Sequence, residues 1–426
     1  MKSFAIYRLP YQKECTMMIQ HEGEPLKLKS YTELNGKRGF VMAPFAVSPD
    51  QPILLIEADE VRSVDISRSV ERGMDSRSVE CGMDSWSEEC GMDSRSVECG
   101  VRSENGTEIQ DSYTKSLIPE IISHSTLHTP HSTNPFHTPH STNPFHAPHS
   151  SNLSSRQRYH IDFSNFHSNL LNGEFQKIVL SRCVQEPRKE EQLPMTLFQK
   201  ACELYPRMFI SLVYTPQSGM WLMATPEILL EGGGNDWHTI ALAGTMKLEG
   251  ESLSFDSPPV KGEARLSDIA WTTKNIQEQR YVATYLMECL EHFSSQITEE
   301  GPYTARAANL VHLRSDFNFV LEDTRRIGEL IRALHPTPAV CGLPKQPTFD
   351  FIRRNESQSR RYYSGFSGPF NPEVETHLFV SLRCMQILED RYCLYAGGGL
   401  LRDSEEKQEW EETEAKLETM RSLIET

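Results

Sequence analysis

The chain has 426 residues, of which 38% are hydrophobic and 24% charged, the balance of a globular protein with room for two or three domains at roughly 150 residues each. A net charge of -16 and a pI near 5.5 argue against nucleic acid or an anionic membrane as partner. No apolar run reaches membrane-spanning length, MKSFAIYRLPYQKECTMM lacks a signal-peptide core, and the scattered cysteines show no zinc spacing; a cytoplasmic protein with reduced thiols is expected.

In chain order, GFVMAPFAV and PILLIEA read as buried strands within residues 1 to 60. Residues 68 to 103 then run RSVERGMDS, RSVECGMDS, WSEECGMDS, RSVECGVRS, and residues 131 to 148 repeat HSTNPFHTP and HSTNPFHAP. A nine-residue period is too short for one unit of a packed solenoid, whose periods start at roughly twenty. Branched apolar residues are too few to offset the entropy of ordering, so residues 61 to 155 are expected to be a disordered low-complexity insertion. Seven of the fifteen histidines lie between 124 and 149, which admits a metal-binding tract as well as a tandem duplication that drifted into a surface loop. The folded part is then 1 to 60 joined to 156 to 426.

Beyond the insertion, YHIDFSNFHSNLLNGEF reads as a helix ending at Asn172 and Gly173, and QKIVLSRCV as the strand after it. FISLVYT, GMWLMAT, ILLEG and HTIALAGTM are further strands. SDIAWTTKNIQEQRYVATYLMECLEHF is a long helix with an apolar stripe of Val282, Tyr285, Leu286, Cys289 and Phe293. FNFVL is a short strand, and Thr324 to Leu334 a helix. HLFVSLRCMQI and YCLYAGGGLL form a hairpin across Leu388 to Arg391, and the last helix runs from about Ser404 to Leu423. Long strands in hairpins with a few long helices indicate an α+β architecture.

Several ionisable residues sit where apolar ones are expected. Asn275 and Glu278 extend the stripe of the long helix, so Glu278 is paired, protonated, metal-bound, or at the stripe's end reaching water. In the last helix Glu409, Glu412 and Lys416 form one row beside Trp410, Leu417, Met420 and Ile424. That row also fits a solvated face, since acidic residues early in a helix favour its dipole. Pairing across the hairpin turn sets Arg383 opposite Ala396 or Gly397, on the sheet face of the glycine strand, where a guanidinium needs a carboxylate or a ligand. Lys177, before IVL, and Glu227, in ATPEILL, raise the same question.

The set QKIVLSRC, ATPEILL, ALAGT, HPTPAVCG, RYYSGFSG, SLRC, LYAGGG and EWEETEAK resembles the chorismate-utilising enzymes, in order and spacing, from about 170 to 425. That family includes isochorismate and salicylate synthases and the large subunits of anthranilate and aminodeoxychorismate synthases. The resemblance implies an anthranilate synthase component I-like fold, large β-sheets packed together and flanked by helices, with 156 to 426 as the chorismate-binding catalytic domain and 1 to 60 as its N-terminal part. It also implies that a lysine at the position of Lys177 activates water, whereas ammonia-using relatives carry glutamine there, so no glutamine amidotransferase partner is expected. Ala243 stands where aminodeoxychorismate synthases carry a lysine.

By the same resemblance Glu278 and Glu412 would ligate Mg²⁺, with Asn275 and Glu409 close behind. Asn275 replaces a frequent aspartate and Ser315 a frequent threonine. Gly244 and Thr245 would take the ring carboxylate of chorismate, Arg383, Tyr395, Gly397 and Lys416 the enolpyruvyl carboxylate, and His312 would stand near the ring. The implied reaction is an Mg²⁺-dependent isomerisation of chorismate to isochorismate, the activity classed EC 5.4.4.2. Lys177 is the base for a water attacking C2, and Glu227 protonates the departing C4 hydroxyl. Lys177 then has to be substantially neutral, which burial beside cations favours, and Glu227 protonated. The alternatives are a salicylate synthase, which goes on to eliminate pyruvate, and a non-catalytic chorismate-binding relative. Retention of both Lys177 and Glu227 speaks against the latter.

Overall fold

The structure, a computed structural model, describes residues 2–64, 153–189, 192–247, 270–307 and 310–424. The repeats lie outside these residues, and only the two ends of the segment read as an insertion fall within them. The N-terminal strands are β1 (Ser3–Arg8), β2 (Cys15–Gln20), β3 (Leu26–Leu28), β4 (Gly39–Ala43), β5 (Ile53–Ile56) and β6 (Glu60–Val64). Strand β6 pairs with β2 through Val64, so the fold runs past residue 60.

Helix α1 (Ser155–Leu171) follows, then β7 (Lys177–Pro187), α2 (Pro194–Leu204), β8 (Phe209–Thr215), β9 (Gly219–Thr225), β10 (Ile228–Gly233) and β11 (Asp236–Lys247). Next come α3 (Thr273–Leu290), β12 (Ile297–Ala307), β13 (Leu310–Val320), α4 (Ile327–Leu334), β14 (Gly342–Leu343) and α5 (Lys345–Asn355). The chain closes with β15 (Phe366–Phe370), β16 (Thr376–Val380), β17 (Cys384–Ile387), β18 (Arg391–Leu400) and α6 (Glu406–Ile424). Among the described residues no helix is long and apolar enough to cross a membrane.

The strands form two antiparallel sheets of nine, ordered β14-β7-β18-β17-β9-β8-β1-β2-β6 and β12-β13-β11-β10-β16-β15-β4-β5-β3. They pack face to face. Ala5, Phe209, Trp221 and Tyr395 of the first interdigitate with Phe40, Ile56, Ile240 and Phe379 of the second. The outer face of the second sheet is covered by α3 and α4 through Val282, Leu286, Leu330 and Ile331. The outer face of the first, at Ile178, Leu180 and Leu400, is covered by α1 and α5. Central strands are thus apolar on both sides, which is why IVL and ALA read as continuous runs rather than alternations.

Local signals set the helix ends. Ser154 and Gln157 form a reciprocal capping box at the start of α1, a device that contributes about 1 kcal/mol, and Gly173 leaves it at φ +77°. Helix α3 starts at Thr273, capped by the Thr272 side chain, later than the apolar pattern suggested. The stretch HLFVSLRCMQI is not one strand. Its first half is β16 in the second sheet and its second half β17 in the first, and the chain crosses between them at Ser381 to Arg383. Arg383 absorbs the turn at φ +45°, an uncommon conformation for a side-chain-bearing residue. The hairpin beyond it is as expected, with Ile387 opposite Tyr392. FNFVL is the end of β13, whose earlier half carries His312.

Candidate active site

A cleft opens where β18 of one sheet faces β11 and β13 of the other. Glu227, Gly244, Thr245, Glu278 and His312 line it. So do Arg383, Tyr395, Gly397 and Lys416. Lys177, Glu409 and Glu412, also expected at the site, do not line the cleft but lie against its wall.

Lys177 is fully buried, at 0% exposure, on the first position of β7. Its Nζ is 2.8 Å from Oε1 of Glu278, an ion pair behind the cleft wall. Burial would raise the Glu278 carboxyl, but Lys177, followed by Lys416 and Lys274, brings it below its ordinary value. The expectation of cations beside Lys177 is therefore corrected. Its immediate neighbour is a carboxylate.

Glu227, 4% exposed, follows the end of β9. Burial pushes its carboxyl up to about 7, against the pull of Lys177, Arg383 and Lys416. A carboxyl raised this far keeps a substantial protonated fraction near neutral pH.

Gly244 marks a slip in the β11–β13 ladder between Ala243 and Thr245. Its φ of +73° and the approach of Asn275, 3.0 Å from where a Cβ would stand, both require glycine. Its carbonyl lies 3.2 Å from Nδ1 of His312. Burial, then Arg383 and Lys416, keep that imidazole far below its ordinary pKa and so neutral. The neutral ring donates from Nδ1 to Gly244, and Nε2 accepts from Nη2 of Arg383 at 2.9 Å. The other guanidinium nitrogen, Nη1 of Arg383, is buried without a partner. A buried cation with an unused donor suits an anionic ligand.

The glycines of β18 are needed by what stands over them. A Cβ on Gly397 would lie 2.8 Å from the Tyr363 hydroxyl, and one on Gly399 only 2.3 Å from Glu278 Oε1. Over Gly398 stand Glu409 Oε2, 3.2 Å from the Cβ position, and Glu412 Oε1 at 3.8 Å. Successive strand positions point to opposite faces, so Glu278 and the α6 pair flank the same stretch of bare backbone.

The three carboxylates meet three lysines. Lys177 pairs with Glu278, Lys274 with Glu409, and Lys416 with Glu412 at 2.7 Å while also donating to the Gly397 carbonyl at 2.9 Å. In this arrangement no three acidic, histidine or cysteine side chains among the described residues converge to enclose an ion. The donor set nevertheless suits a hard cation, which takes oxygen ligands, and Oε2 of Glu409 is buried without a hydrogen-bond partner. Glu409 is also raised above its ordinary pKa by burial and by Glu412, the electrostatic condition that a divalent ion relieves.

Tyr363 and Lys274 are among the residues at the site that were not singled out from the sequence. Tyr363 stacks on Tyr395 with ring centroids 5.5 Å apart; it lies in RYYSGFSG, but nothing in that string says which tyrosine faces the cleft. Lys274 had a readable signal, a cation in the first turn of a helix, where the dipole disfavours it.

The chain belongs to the chorismate binding enzyme family, whose pattern matches residues 107–425. It is 30% identical over 273 residues to the salicylate biosynthesis isochorismate synthase of Pseudomonas aeruginosa, covering 63% of this chain and 55% of that one. It is 29% identical over 261 residues to the isochorismate synthase DhbC of Bacillus subtilis, covering 59% and 64%. The matched stretch therefore spans less than two thirds of either relative. The fold is that of MenF, the menaquinone-specific isochorismate synthase of Escherichia coli, with a TM-score of 0.65 and 18% identity over 99% of this chain and 89% of that one.

Proposed function

We propose that this protein is an isochorismate synthase, adding water at C2 of chorismate and losing the C4 hydroxyl with a shift of the ring double bonds. The observation that carries the reading is a fully buried lysine, Lys177, against the wall of a cleft that is lined by Glu227, a buried carboxylic acid held at about 7. Relatives named isochorismate synthase support it.

Chorismate carries two carboxylates. The unused Nη1 of Arg383 and the ammonium of Lys416 would take one of them, beside Tyr395 and the glycine strand. The bulge at Gly244 and Thr245 would take the other. Neutral His312 fixes the Arg383 guanidinium by accepting from it and adds no charge of its own. Lys177 removes a proton from the attacking water, and Glu227 delivers one to the hydroxyl leaving C4, so the proton count balances across the turnover.

The same reading includes Mg²⁺, held by Glu278 and Glu412 with Glu409 beside them. Bound there, it would neutralise a substrate carboxylate. Purified protein given chorismate and Mg²⁺ tests the reading by product chromatography, and the expected product is isochorismate without pyruvate. Salicylate with released pyruvate, or anthranilate formed with ammonia, would overturn it.

A further inference from the structure

Of the three lysines against the carboxylate corner, two have work elsewhere. Lys177 is the proposed base, and Lys416 also holds the Gly397 carbonyl. Among the described residues Lys274 has no other hydrogen-bond or ion-pair partner. It pairs with Glu409 and feels Glu409, Glu412 and Glu278 together, which outweigh burial and raise it above its ordinary pKa. It occupies the first turn of α3, where its charge opposes the helix dipole, so the carboxylates and not the helix hold it there. Its side chain is 27% exposed, against 0% for Lys177 and 18% for Lys416, which leaves it a path to solvent.

We infer that Lys274 is a placeholder cation: its ammonium neutralises the Glu278, Glu409 and Glu412 corner in the metal-free protein and swings out when a divalent cation enters. The inference rests on the metal site proposed above. Two consequences follow. The corner is kept from flying apart by like-charge repulsion when no metal is present, and metal affinity is weakened by the work of displacing the lysine. Entry of the ion also replaces a single charge with a double one.

The test uses the full chain without chorismate and Mn²⁺ as the probe, with free ion followed by electron paramagnetic resonance. Lys274→Met keeps length and loses charge; it is expected to bind Mn²⁺ about tenfold more tightly than the parent, while Lys274→Arg stays near the parent value. In EDTA, Lys274→Met should melt below the parent, and saturating Mn²⁺ should close that gap. Equal or weaker Mn²⁺ binding by Lys274→Met would overturn the inference while leaving the metal site standing. Absence of binding by the parent, Lys274→Met and Glu278→Gln alike would remove the metal site itself, and the inference with it. Lys274→Gln is the second uncharged variant, expected to match Lys274→Met, and a parental affinity in it would count against the inference equally.

Discussion

Gly399→Ala adds one methyl group at the point where β18 passes the base. The methyl carbon would stand 2.3 Å from Oε1 of Glu278 and 2.9 Å from Cε of Lys177, where ordinary contact begins near 3.4 Å. Glu278 must therefore retreat by about 1 Å and Lys177 by about half that. Both clashing atoms lie toward the ends of side chains and Gly399 is not at positive φ, so the backbone can stay and the fold survive. The loss falls on chemistry instead, because misplacing a reacting group by ~1 Å costs on the order of 10²-fold in rate. Steady-state kinetics with chorismate and Mg²⁺ should show kcat/KM down by that order, while circular dichroism and a melt within a few degrees of the parent report an intact fold. Parental kcat/KM in Gly399→Ala would refute the placement of Lys177 and Glu278 against this strand. A variant that loses its melt entirely would show the glycine to be structural rather than catalytic in its effect.

Lys177→Ala and Glu227→Gln should each lower kcat by about 10²–10⁴-fold with KM changing much less, in both directions of the isomerisation; near-parental turnover by Lys177→Ala would exclude the water-using assignment. In the proposed mechanism Glu227 is the acid, and it is held at about 7, so kcat/KM should fall as pH rises through about 7, and a limb that persists in Glu227→Gln belongs to another group. His238 bridges Glu231 and Asp316 at 2.8 Å each; burial would lower it, but the two carboxylates raise it to about 9. A folded-state pKa above the ordinary 6.5 means stability present in full below about 6.5 and lost as pH rises through 9. The melting difference between the parent and His238→Gln should therefore be widest near pH 6 and shrink by pH 9.5, and a pH-independent difference would assign His238 a packing role only.

Much of the site was present in the sequence as residues out of place. Lys177 before IVL, Glu227 before ILL and Glu278 on an apolar stripe are conspicuous because burial of an unpaired charge is costly, so a charge in an apolar run implies a partner or a ligand. Local periodicity likewise placed α1, β8, β9 and the β17–β18 hairpin, since each follows from a few neighbouring side chains and a capping or turn signal. Periodicity says nothing of which sheet a strand joins. HLFVSLRCMQI reads as one strand because both of its halves are buried on both faces, and only packing shows the crossing at Arg383. The partners of Lys177 and Lys274 are also a tertiary matter. Lys177 and Glu278 are about a hundred residues apart in the chain and Lys274 and Glu409 are 135 apart, and no local pattern encodes a contact that forms only when two sheets and two helices close on the same glycines.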